Sequence, residues 1–124
     1  AQGARRALML TVSGPFHSPL MKPAADAFAD FIKDIEIKVP VIPVVQNVSN
    51  VFEQDPQTIK ANLIKQIDSP VNWTGAVSYM LDHGVDTLIE CGPGKVLSGL
   101  NKRINKSATS IESNLVKIAE LQGN

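Results

Sequence analysis

A single cysteine, Cys91, in 124 residues leaves no intrachain disulfide to form and no cysteine-rich metal site. Neither histidine, His17 or His83, has a Cys, Asp or Glu at metal-ligand spacing, so no zinc site is expected. Net charge is also missing: twelve Lys and Arg balance twelve Asp and Glu. That balance argues against a nucleic-acid partner. No hydrophobic run approaches the roughly 20 residues that a membrane-spanning helix needs, and no signal peptide, internal repeat or low-complexity tract is visible. These absences set the expectation of a soluble protein in a reducing, cytoplasmic setting.

What is present is enough for one core. Hydrophobic residues make up 44% of the chain, and nothing calls for a second independent core. The charge, though balanced, is unevenly placed. Residues 1–25 hold Arg5, Arg6 and Lys22 with no acid, and residues 95–106 hold Lys95, Lys102, Arg103 and Lys106 with no acid. Two basic islands on a neutral chain suit a small anionic ligand or an acidic partner, or are simply solvated surface.

The first residues read as a strand over 5–13 that has no partner before it and no initiator Met, which suggests a fragment. A loop follows at 14–19, punctuated by Gly14, Pro15 and Pro19. A helix is expected from Pro23 to Ile35, with Ala24, Ala27, Phe28, Phe31 and Ile35 as its buried stripe and Pro23 in the first turn. The apolar run 41–45 reads as a short strand whose pairing Pro43 limits. Asp55-Pro56 starts a helix that buries Ile59, Leu63 and Ile67, and Ser69-Pro70 ends it. Asn72 caps the next helix, with Trp73, Ala76, Val77, Met80 and Leu81 inward and Gly84 closing it. A strand over 85–90, a Gly92-Pro93-Gly94 turn, a helix over 95–104 burying Val96, Leu97, Leu100 and Ile104, a short strand over 107–111 and a weak helix over 112–121 complete the order. Alternating strands and helices predict an α/β class with a parallel layer.

Four features could carry chemistry. Gly92-Pro93-Gly94-Lys95, between strand and helix, could cradle phosphate on backbone N–H groups, but it lacks P-loop spacing and reads better as a sharp turn. His83, beside Gly84, is placed to meet the terminal carbonyls of its helix. Cys91 is expected to be a small buried residue. His17 stands apart: it lies in a loop directly after a strand, stiffened by Pro15 and Pro19, where α/β proteins place reacting groups.

The stretch Ser13-Gly14-Pro15-Phe16-His17-Ser18-Pro19-Leu20-Met21-Lys22-Pro23-Ala24 resembles the catalytic-histidine loop of malonyl-CoA:acyl carrier protein transacylases. Three further blocks resemble that family in the same order. They are Pro43-Val44-Val45-Gln46-Asn47-Val48, Gln66 with Ser69-Pro70-Val71-Asn72-Trp73, and Glu90 through Leu100. The resemblance covers about residues 4–106, and the tail from Ser107 carries no motif.

The resemblance implies transfer of a malonyl group from coenzyme A to the phosphopantetheine thiol of acyl carrier protein, through an ester on a serine. His17 would be the general base and acid, and Gln66 would orient it with its main-chain carbonyl. Phe16 would favour malonyl over methylmalonyl, and Arg5 and Arg6 would lie near bound coenzyme A. No cofactor or metal is implied, because the coenzyme A thioester is itself the substrate. The implied fold is part of an α/β-hydrolase-like acyltransferase domain. Residues 1–13 would end a small ferredoxin-like subdomain, and 14–124 would form the C-terminal part of the large α/β subdomain.

The departures are equally plain. No Gly-x-Ser-x-Gly elbow occurs in the chain, so the nucleophile, the arginine that pairs with the malonyl carboxylate and the glutamine-containing oxyanion loop are not here. The chain alone is therefore expected to be inactive. An acyltransferase domain of a polyketide synthase and a non-catalytic remnant that binds acyl carrier protein remain as alternatives.

Overall fold

The structure, a computed structural model, describes residues 12–113. The expected first strand and last helix fall almost wholly outside those residues, as do Arg5 and Arg6.

A 3₁₀ turn at Pro19–Met21 leads into helix α1, Lys22–Ile32, with Pro23 in its first turn as expected. The helix stops three residues short of the expected Ile35, and Lys60 meets its end. Its Nζ donates to the carbonyls of Lys33 (2.6 Å) and Ile35 (2.9 Å), satisfying acceptors past the helix end and placing a cation where the helix dipole is negative. The expected apolar stripe needs correction. Ala25 and Ile32 are buried, whereas Ala24, Ala27, Ile35 and Phe31 (75% exposed) are not. Helix α1 packs against helix α2, Pro56–Lys65, which buries Ile59.

Between α1 and α2 lies an antiparallel pair, β1 (Val44–Val45) with β2 (Phe52–Glu53), in register Val44↔Glu53 and Val45↔Phe52. β1 falls within the strand expected over 41–45, whereas β2 is an addition to the expected elements. Asn50, at φ 56°, takes the left-handed conformation that lets the chain reverse between them. The α2 start matches expectation. Asp55 accepts from the Thr58 N–H and hydroxyl, both at 2.7 Å, and these bonds hold its carboxyl below the usual carboxylate range.

Helix α3, Trp73–Asp82, is capped by Asn72, whose Oδ1 accepts from the Gly75 N–H at 3.0 Å. Ala76 and Val77 are buried, with Trp73, Met80 and Leu81 partly so, as its periodicity predicts. Gly84 closes the helix at φ 87°. Strand β3, Thr87–Cys91, pairs in parallel with β4, Thr109–Ser113, across helix α4, Val96–Ile104. The parallel layer is thus present at β3–β4, while β1–β2 is antiparallel.

Two expectations fail at this end of the molecule. Cys91 is exposed, because β3 alternates and its Thr87, Ile89 and Cys91 face is uncovered among the described residues. Helix α4 buries Ser98 and Asn101 and leaves Val96 72% exposed. Its polar face points inward because Asn101 Oδ1 accepts from the Trp73 indole N–H at 2.9 Å, and because Glu90 reaches its N-terminus.

That Glu90 contact decides the Gly92-Pro93-Gly94 question. The Glu90 carboxylate accepts from the Leu97 N–H (3.1 Å) and the Ser98 N–H (2.8 Å), filling the position where a helix start would hold a phosphate. Gly92 and Gly94, at φ 133° and 91°, bend the chain so that this strand residue can cap the helix that follows it. The Ser98 N–H bond, chiefly, holds the Glu90 carboxyl below its usual range. A carboxyl lowered on folding stabilises the fold above its unfolded value and loses that contribution as pH falls through the folded one. Glu90→Gln is therefore expected to lower Tm at neutral pH by roughly a few degrees. It should also flatten the loss of stability in the acid range; a melting series against pH that matches the parent at every point would contradict the cap.

Candidate active site

The loop ahead of α1 is locked by its own short-range bonds. Ser18 Oγ donates to the Pro15 carbonyl at 2.7 Å, and the Met21 N–H donates to the Ser18 carbonyl at 2.9 Å. The Phe16 ring folds against Gly14, where an added Cβ would stand 3.2 Å from Phe16 Cζ. Phe16 is nevertheless 58% exposed, so it is not a core anchor among the described residues. His17 sits at φ 56°, a left-handed conformation that non-glycine residues hold at a cost and that the surrounding loop must enforce.

The other side of the site is the C-terminus of α2. Gln66 caps that helix, with its N–H donating to the Asn62 carbonyl at 2.9 Å. Its carbonyl is one of the last-turn acceptors that no helical N–H can reach. His17 Nδ1 lies 2.8 Å from that oxygen, across 49 residues of sequence. A carbonyl oxygen only accepts, so Nδ1 carries the proton and, in the neutral ring, Nε2 keeps its lone pair. Nε2 makes no hydrogen bond among the described residues. A ring held by Nδ1, with its second nitrogen basic, can accept a proton from a hydroxyl or thiol and return it.

One contact was not legible beforehand. Asn47, in the turn between β1 and β2, donates from Nδ2 to Gln66 Oε1 at 3.1 Å. It stands within the Pro43–Val48 block, whose resemblance to the family singles out no one residue. His83 takes the place expected of it. Its Nδ1 lies 2.8 Å from the Tyr79 carbonyl, and its ring stacks on Tyr79 (4.0 Å between centroids) with Phe52 edge-on at 5.6 Å. That cluster closes α3 and belongs to the fold.

No protein-family model matches the chain. Among curated proteins, the malonyl CoA-acyl carrier protein transacylase of Staphylococcus aureus is 48% identical over 113 residues, which is 90% of this chain and 37% of that protein. Among solved structures, an acyl carrier protein S-malonyltransferase from Vibrio cholerae superposes with a TM-score of 0.89 at 49% identity, covering 96% of this chain and 39% of that one. The chain is a homologue of the malonyl-CoA:acyl carrier protein transacylases. A malonyl-transacylase solved with a type II polyketide synthase acyl carrier protein superposes with a TM-score of 0.90 at 42% identity, covering 99% of this chain and 40% of that one. The chain thus spans somewhat over a third of the length of these transacylases. The fold shared with the transacylases is mixed helix and sheet, and no helix among the described residues is long and apolar enough to cross a membrane.

Proposed function

We propose that this chain supplies the histidine side of a malonyl-transfer site, acting in the cytoplasm on malonyl-CoA and acyl carrier protein. One observation carries the reading: His17 Nδ1 is engaged by the Gln66 carbonyl, which leaves Nε2 as the base. A serine from outside the chain would attack the malonyl thioester carbonyl while Nε2 takes its hydroxyl proton. The tetrahedral intermediate collapses, the C–S bond breaks, and the imidazolium protonates the departing coenzyme A thiolate. The second half reverses the roles. His17 takes the proton of the phosphopantetheine thiol, the sulfur attacks the malonyl ester, and the serine oxygen leaves with the proton returned. At both stages the Gln66 carbonyl holds Nδ1 and fixes the ring's tautomer, the orienting part that a buried carboxylate plays in a Ser-His-Asp triad.

Phe16, beside His17, would border the malonyl group, and Arg5 and Arg6 would approach coenzyme A phosphates. Residues 1–13 and 14–124 would divide between a small ferredoxin-like subdomain and a large α/β-hydrolase-like one. The acceptor carrier would serve fatty-acid synthesis or, as for the relative solved with its carrier, polyketide synthesis.

The test is a chimera in which this chain replaces the matching portion of the Staphylococcus aureus transacylase. It is expected to transfer malonyl from coenzyme A to acyl carrier protein; a folded but inactive chimera overturns the reading. Within it, Gln66→Ala keeps both the main-chain carbonyl and the bond from its N–H to Asn62. The rate should fall roughly tenfold or less, the scale of a weakened hydrogen bond. A collapse as deep as that of a His17 variant would mean that the Gln66 side chain itself reacts or binds.

A further inference from the structure

We propose that Asn47 is a positioning residue that keeps the Gln66 carbonyl on His17. The C-terminal residue of a helix is its weakest point, because its carbonyl has no helical partner and the last turn frays. Gln66 is held from within α2 only by its N–H. The second hold comes from outside: Asn47 Nδ2 donates to the Gln66 side-chain oxygen, and both residues are half-buried, shielded from competing water.

Asn47 is in turn fixed by the β1–β2 turn. The Gln46 N–H donates to the Val51 carbonyl (3.2 Å) and the Asn50 N–H to the Gln46 carbonyl (2.8 Å), closing the turn around it. Phe52, on β2, packs edge-on to Tyr79 of α3 at 5.1 Å, so the hairpin is pinned to a helix other than the one it steadies. The result is a mechanical chain from α3 through the hairpin to the end of α2 and then to the His17 ring. With Asn47 in place the Gln66 oxygen stays at 2.8 Å from Nδ1; without it, that carbonyl shares its time with water.

The interest of this arrangement rests on His17 being the base, but its test does not. Histidine-labelled chain, without substrate, gives the tautomer of each neutral ring from its imidazole ¹⁵N shifts. Asn47→Leu is expected to lower the His17 Nδ1–H to Nε2–H ratio about threefold to tenfold, the scale of one hydrogen bond's net worth. Asn47→Asp should keep the ratio, because the Gln66 amide can turn over and donate to the carboxylate. His83, bonded within α3, should not change in either variant and reports an intact fold. If Asn47→Leu does not fold, Gln66→Ala removes the same bond from the other side and carries the same expectation. An unchanged His17 ratio in the folded variant overturns the proposal, as does a loss in Asn47→Asp equal to that in Asn47→Leu. Failure of the acyl-transfer reading shows as an inactive chimera and leaves the tautomer result standing.

Discussion

In the chimera with the Staphylococcus aureus transacylase, His17→Ala is expected to lower malonyl transfer about 10²–10⁴-fold, the range for a lost general base. The fall should appear in kcat and in kcat/KM alike, since the proton transfer occurs only as the thioester is attacked. Both half-reactions use the same Nε2, so hydrolysis-free loading from malonyl-CoA and unloading to the carrier should slow together. The fold should survive, because His17 is exposed and its left-handed backbone is enforced by the Ser18–Pro15 and Met21–Ser18 bonds. A loss below tenfold in a folded chimera would remove His17 from the reaction.

Phe16→Ser is the second large effect. The ring stands next to His17, 58% exposed and resting on Gly14, so its bulk lies on the loop surface and not in the core. On the reading proposed above, that bulk occupies the space an α-methyl on the malonyl group would need. A pocket that excludes a single methyl discriminates by about 1–3 kcal/mol, or roughly 10–200-fold. Phe16→Ser should therefore raise the methylmalonyl-to-malonyl ratio of kcat/KM by up to that factor, mainly by admitting the larger substrate. Should both substrates slow equally with the ratio unmoved, Phe16 would be a loop-packing residue and selectivity would lie elsewhere.

The sequence told most where a residue's own chemistry announced its place. Asp55-Pro56 and Asn72 marked helix starts, Gly84 a helix end, and the Gly/Pro punctuation around His17 a rigid loop. It told less where a backbone group or a distant partner decides. The Gln66 carbonyl is legible only through family resemblance, since any residue at that helix end would present the same oxygen. Asn47 and Glu90 act on groups 19 and 7 or 8 residues away, and no periodicity marks such pairs. The α1 stripe failed for another reason. Period 3.6 identifies an apolar face but not what covers it, and among the described residues Ala25 and Ile32 are covered while Phe31 is not. Cys91 followed the same rule on a strand: its type suggested burial, but alternation put it on the uncovered side.

On the proposed function, these 124 residues hold the base of an acyl-transfer site and not its nucleophile. Intact-mass spectrometry of the chain after incubation with malonyl-CoA separates the two roles, with the chimera measured alongside. No malonyl adduct is expected on the chain alone, and a single malonyl ester on the chimera. A covalent malonyl group on the isolated chain, or an adduct on the chimera that forms as fast with Ala as with His at position 17, would contradict it.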